Sequence, residues 1–316
     1  MMIDLILFAL GLVGLLIGST TDLQRREVPD YINYGLIAAA CGIRLLHAIL
    51  MNDWLQLLFA VIGGFFCFGI ACIFFYTGQW GGGDAKMLIA MGALFATFHS
   101  FVLSAQYTVP AIFFAWFPDG LIQHILDYNL LFIGYLIINI LIAGAIYGIL
   151  WSLALAVIHR TAWWDAVKKL LRTKRMRVIG VAAIISVVVL CILGLTMQAQ
   201  QAQLLRLFFF GLAVVVIFGY SLQLAVTAVE RACMIRTMLV SDLTEGEWIQ
   251  KKIVVDGKYI CGPKDLGVTE DQIKLLKKKR IKSVVVKIGI PFIPAFLIGF
   301  LTTVFIGNIF IHILTL

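Results

Sequence analysis

Charge is what this sequence has least of. Asp, Glu, Lys and Arg make up 13% of its 316 residues, against roughly 25% in ordinary soluble domains. Apolar residues reach 62% and mean hydropathy is +1.01. So apolar a chain belongs in a bilayer rather than around one soluble core. Metal-ligand patterns are missing as well. Of the six cysteines, Cys41, Cys67, Cys72 and Cys191 lie inside apolar runs, and Cys233 and Cys261 lie in a polar stretch with no CxxC or Cys/His grouping. His47, His99, His124, His159 and His312 are scattered, mostly near the ends of apolar runs, and read as interfacial residues. No metal site is therefore expected. Walker and Rossmann glycine spacings are absent too, so no nucleotide cofactor is implied. No internal repeat is visible, which weakens an inverted-repeat transporter. The net charge of +8 would suit nucleic acid only if the basic residues shared a soluble face. They sit instead at the ends of apolar segments, so no nucleic-acid partner is expected.

What is present is a series of about eight apolar segments. They cover residues 3–18, 31–51, 54–77, 86–105, 130–158, 178–196, 204–228 and 284–314. Each is long enough for a hydrocarbon core of about 30 Å. The fourth is diluted by His99, Ser100 and Ser104. The residues before the first segment carry no basic n-region, and Asp4 follows at once, so a retained helix is expected rather than a cleaved signal peptide. Residues 109–128 hold Pro110, Pro118 and several Phe and Trp, and read as a short interfacial element on the outer side. The expected fold class is an all-α polytopic membrane protein with a small cytoplasmic module before the last helix. Its regions are 1–105 with the chemistry-bearing motifs, 106–228 with further membrane helices, 229–283 as the soluble module and 284–316 as the last membrane helix.

Lys and Arg set the orientation. With the amino terminus outside, Arg25, Arg26 and Lys86, the basic cluster from Arg160 to Arg177 and the many Lys and Arg from Arg231 to Lys287 all face the cytoplasm. Only Arg44 and Arg206 fall elsewhere, inside apolar segments. This asymmetry favours a multi-pass cell-membrane protein in that orientation, in contact with membrane lipids. Within the soluble stretch, residues 252–260 read as a hairpin turning at Asp256-Gly257. Thr269 followed by Gln272 three residues later reads as a capping box for a helix over 270–282. That helix has acids first and Lys277–Arg280 last, in keeping with its dipole, and its basic end is expected to lead into the last membrane span.

One short stretch stands out chemically: Gly81-Gly82-Gly83-Asp84-Ala85-Lys86, read with Asp22. Both acids fall at the edge of an apolar segment, and the charge-based orientation puts them on the same face without having been used to place them. A carboxylate at that depth is costly unless it has a role or a partner. Three glycines beside it remove every side chain and let another backbone approach. Two aspartates close together do not both ionise readily, so one keeps a proton. The charged one can accept a proton from water, and the protonated one can donate to a carbonyl oxygen and then to a leaving amine. That is peptide hydrolysis without metal, cofactor or covalent intermediate. The plainer alternative is two solvated acids flanking helix ends. A third, from another class, is an ion-coupled transporter using the acids as proton carriers, which would place ionisable groups nearer the midplane.

The stretch from Asp22 to Val28-Pro29 resembles the first aspartate motif of the type IV prepilin and archaeal preflagellin peptidases. Gly81-Gly82-Gly83-Asp84-Ala85-Lys86 is similar to their second, the GxGD motif followed by a small residue and lysine. The segment Pro291-Phe292-Ile293-Pro294-Ala295-Phe296 also resembles an archaeal family feature. The resemblance implies a membrane aspartic endopeptidase that removes class III signal peptides from type IV pilin-like or archaellin precursors. It implies Asp22 and Asp84 as the catalytic pair and Gly81 and Gly83 as the motif glycines; Gly81, Gly82, Gly83 and Lys86 are expected to bind substrate. Bacterial relatives often carry a four-cysteine set and a methyltransferase activity. That cysteine set is absent here, which favours the archaeal branch without methylation. Presenilin-like proteases share GxGD but have Tyr-Asp and Pro-Ala-Leu motifs. Here Thr21 precedes Asp22 and Phe296 follows Pro294-Ala295, leaving presenilin-like cleavage as the second protease reading.

Overall fold

The computed structural model describes residues 2–98, 131–196, 203–307 and 309. The expected interfacial element at 109–128, His99, His124 and His312, and the far ends of the fourth and last apolar segments lie outside the described residues. The chain is mostly helical and divides into two compact units. The described residues include six helices long and apolar enough to cross a membrane. The protein is a multi-pass membrane protein.

The first unit holds α1 (Met2–Arg25), α2 (Asp30–Met51), α3 (Trp54–Tyr76), α4 (Gly82–Phe95), the first part of α5 (Leu131–Ile158), and α10 (Ile293–Phe305). α4 is its centre. Met87, Leu88, Ala90, Met91, Leu94 and Phe95 are buried, so this helix is covered nearly all round, which fits its lack of a polar face. α3 crosses it where Gly63 meets Gly92. A Cβ added at Gly92 would lie 2.7 Å from the Gly63 carbonyl oxygen. Small residues at such a crossing let backbones approach, and dispersion contacts then hold helices that share an apolar solvent. Phe95 packs on Phe300 of α10 with ring centroids 4.7 Å apart and on Phe98 at 5.2 Å. At the opposite end of α2 from its start, Arg44 is 1% exposed. Its guanidinium donates to Thr97 Oγ1 and to the Leu94 carbonyl, and Asp4 lies within electrostatic range. The sequence placed Arg44 in an apolar segment but did not reveal these partners.

The second unit holds the end of α5, α6 (Arg160–Leu171), α7 (Lys174–Thr196), α8 (Gln203–Val229), a π-helical turn (Glu230–Met234) and a small β module. The module contains β1 (Ile235–Leu239), β2 (Trp248–Ile249), β3 (Ile253–Val255), β4 (Lys258–Cys261), α9 (Glu270–Lys278) and β5 (Ser283–Lys287). β3 and β4 form the expected hairpin, with Val255 opposite Lys258. Its turn has φ of 54° at Asp256 and 75° at Gly257, the left-handed pair that suits strand twist. Two expectations are corrected here. The helix starting at Glu270 ends at Lys278, and Arg280 turns left-handed at φ 56°. The apolar run from Val284 is not helical at its start. Val284-Val285-Val286 are β-branched and form β5, which lies between β1 and β2 in an antiparallel sheet. Helix resumes only at Ile293, after Pro291.

Candidate active site

Helix α1 does not end at Gly18 but continues to Arg25, so Asp22 stands on its last turn and is buried, 6% exposed. Thr20 and Thr21 turn their hydroxyls back to the Ile17 and Gly18 carbonyls, which lets polar residues stay inside the helix. Asp22 Oδ2 accepts the Ile293 backbone N–H at 2.9 Å. Ile293 begins α10, and the first N–H groups of a helix have no partner within it. The carboxylate thus caps α10 and sits at the positive end of its dipole. Arg26, in a left-handed conformation at φ 59°, donates from its guanidinium to the Gly289 carbonyl. Two contacts therefore join the Asp22 turn to the segment 289–293.

Asp84 occupies the first turn of α4, and its Oδ2 accepts the Gly81 N–H at 3.0 Å. This single bond from the N-cap N–H to the Asp84 side chain, half of a capping box, holds the carboxyl at the helix start. Asp22 lies within electrostatic range of Asp84 although 62 residues separate them in the chain. Trp80, just before the glycine run, is buried and supports the turn. Its ring stacks on Phe74 at 4.4 Å and touches Phe292 at 5.6 Å and Phe296 at 5.3 Å. The aromatic cluster ties the glycine turn to the segment that caps on Asp22.

The glycines differ in surroundings. A Cβ at Gly83 would meet Val28 Cβ at 3.3 Å, so its missing side chain is matched by the loop that follows Asp22. Gly82 has only Phe75 near, at 3.9 Å, and is the most open of the three. Gly81 faces Asp84 Oδ2 at 3.4 Å. Lys86 points away from the acids' hydrogen bonds. Its Nζ pairs with Asp30 Oδ1 at 2.6 Å and lies 5.5 Å from the Tyr34 ring centroid. Sequence reasoning missed Trp80 and also Tyr147. Tyr147 of α5 lies within electrostatic range of Asp22 and Arg26. It is brought there by Gly144, one turn earlier, where an added Cβ would lie 2.4 Å from the Phe292 ring. Trp80 had a signal, an aromatic immediately before the glycine run; Tyr147 had none. Among the described residues no group of three or more His, Cys, Asp or Glu side chains gathers as a metal site would require.

Residues 9–149 match the family model of the type IV leader peptidase family. Over that region the chain is similar to the type IV leader peptidase family. A preflagellin peptidase of Methanococcus voltae is 32% identical over 117 residues, 36% of this chain and 49% of the relative. One from Methanococcus maripaludis is 35% identical over 91 residues, 29% and 39% of the two chains. One from Methanocaldococcus jannaschii is 32% identical over 87 residues, 28% and 37%. The chain thus spans about half or less of the length of these curated relatives. No solved structure matches it. The matched region contains Asp22, the Gly81–Asp84 turn, Lys86 and Tyr147. α10, whose first N–H binds Asp22, lies outside it.

Proposed function

We propose that this chain is an aspartic endopeptidase that cleaves class III signal peptides from archaellin or type IV pilin-like precursors at the cytoplasmic face of the cell membrane. Asp22 and Asp84 are its catalytic pair. The observation that supports this reading is that Asp22 lies within electrostatic range of Asp84, with each carboxylate held through Oδ2 by a backbone N–H near a helix start. The charged carboxyl removes a proton from the water as it attacks the scissile carbonyl. The protonated one hydrogen-bonds the carbonyl oxygen and then passes its proton to the departing amine. Gly82 is the most accessible backbone beside Asp84, and we assign the glycine turn to substrate docking, with Lys86 at its far side. The amino terminus lies outside in this reading, with the segments around α4 and α10 as the fourth and eighth crossings. Membrane lipids surround the helices.

The substrate geometry follows. A pilin-like precursor has a short leader and then a long apolar helix. With that helix in the bilayer, its start lies at the depth of both acids. A helical carbonyl is already hydrogen-bonded, so the scissile bond must unwind. A small residue before the bond eases that step. Cleavage immediately before the apolar helix is therefore expected.

The test is incubation of membranes containing the chain with archaellin-like and pilin-like precursors, followed by gel mobility and amino-terminal sequencing of the product. Asp22→Asn and Asp84→Asn should each lower turnover by roughly 10³-fold or more while insertion and melting stay unchanged, because each role needs a titrating carboxyl. Normal turnover in either variant removes the aspartyl mechanism. A new terminus inside the apolar helix favours presenilin-like cleavage. Proton-coupled uptake in proteoliposomes without cleavage favours a transporter.

A further inference from the structure

In the second unit, the ends of α5 and α8 and the start of α6 enclose a cleft of about 580 Å³. Its walls are almost wholly apolar, with Leu153, Ala156, Val157, Leu222 and Val226 among them. The volume falls within the roughly 300–1,000 Å³ of clefts that hold small molecules. Its shape is rigid at one side. Trp163 donates its indole N–H to the Ala225 carbonyl at 3.2 Å, and α6 is pinned by Val167 and Leu170 packing on Met176 and Ala228. Among the described residues nothing closes the outer wall, where Val157 is 74% exposed.

Arg160 and Thr161 stand at the mouth, beside Trp163 and Trp164. The stretch 160–177 that opens there carries seven Lys or Arg and a single acid, Asp165. Asp165 faces Lys168 at 3.7 Å, and Arg160 has no ion-pair partner among the described residues. An apolar cleft with unbalanced positive charge at its rim, at the end of two spanning helices, matches a molecule with a hydrocarbon chain and an anionic head.

We propose that this cleft is a binding site for an anionic phospholipid, whose hydrocarbon chain fills it and whose headgroup meets Arg160. The lipid enters along the exposed wall of Val157, and Trp163 and Trp164 sit at the boundary between chain and headgroup. Lipid occupancy here does not depend on peptidase activity.

The experiment is native mass spectrometry of the full chain in detergent, titrated with phosphatidylglycerol or phosphatidylcholine. One phosphatidylglycerol should be retained in preference to phosphatidylcholine. Arg160→Gln should weaken its retention roughly five-fold, the share of one basic residue near a headgroup. Ala156→Phe should fill the cleft and remove the preference. Should Ala156→Phe fail to fold, quenching by brominated phosphatidylglycerol, compared between the native chain and Trp164→Phe, reads the same occupancy. Equal retention of both lipids, or a preference that survives Arg160→Gln and Ala156→Phe, overturns the site. Displacement of the lipid by a precursor's apolar peptide overturns the lipid as occupant and assigns the cleft to the substrate helix.

Discussion

Gly83 is where the loop after Asp22 touches the turn that carries Asp84. A Cβ built there lies 3.3 Å from Val28 Cβ and 3.4 Å from Val28 Cγ2. An alanine therefore needs its neighbour to give by a few tenths of an ångström. A valine adds two more methyl groups to the same gap, and overpacking of this kind costs about 1–3 kcal/mol. What yields is either the Val28 loop, close to Asp22, or the first turn of α4, which holds Asp84. Both responses move one carboxyl relative to the other. A misplacement of about 1 Å costs on the order of 10²-fold in rate. Gly83→Ala should thus lose activity a few-fold and Gly83→Val roughly 100-fold, with a modest fall in melting temperature. The assay is cleavage of a tagged precursor by membranes, normalised to the amount of inserted protein. Val28→Ala removes the Cγ2 contact and should recover part of the loss in Gly83→Val, because contacting residues couple in a double-mutant cycle. Full activity in Gly83→Val refutes the packing argument. Loss without any recovery by Val28→Ala would instead make the glycine a requirement of substrate access.

Arg44→Ala leaves the buried Thr97 hydroxyl and Leu94 carbonyl without this donor, and should cost about 1–3 kcal/mol, read as a lower melting temperature in detergent; an unchanged melting temperature would contradict it. Gly92→Ala presses a methyl group against the Gly63 carbonyl at 2.7 Å, and should destabilise the α3–α4 crossing by about 1–3 kcal/mol in the same melt. Asp30→Asn breaks the Lys86 pair, but that pair is half-exposed, so stability should change by less than about 1 kcal/mol.

Much of the membrane region was legible along the chain. Hydropathy summed over about twenty residues marks a helix that must satisfy its backbone internally in lipid. Asp256-Gly257 between β-branched runs marks a hairpin because a two-residue turn needs left-handed backbone at both positions. Asp22 and the glycine–aspartate turn stood out because carboxylates are rare at a membrane edge. The extent of the soluble module was less clear. Val284-Val285-Val286 is as apolar as a membrane helix, and the alternation that would mark a strand is absent from it. Pairing with β1 and β2 decided its state.

By itself, then, the sequence determined the membrane class, the positions of the two acids and the local turns, since each rests on residues close to one another along the chain. Tertiary structure alone decided how the acids are held. Asp22 binds the N–H of Ile293, 271 residues away, because Pro291 and Pro294 frame a helix start whose amides lack partners within the chain's local structure. Trp80 reaches Phe292 and Phe296 through ring packing that no periodicity encodes. The role of Gly83 changed for the same reason: its small size is matched by Val28, a residue 55 positions earlier, and only the fold brings that side chain to it.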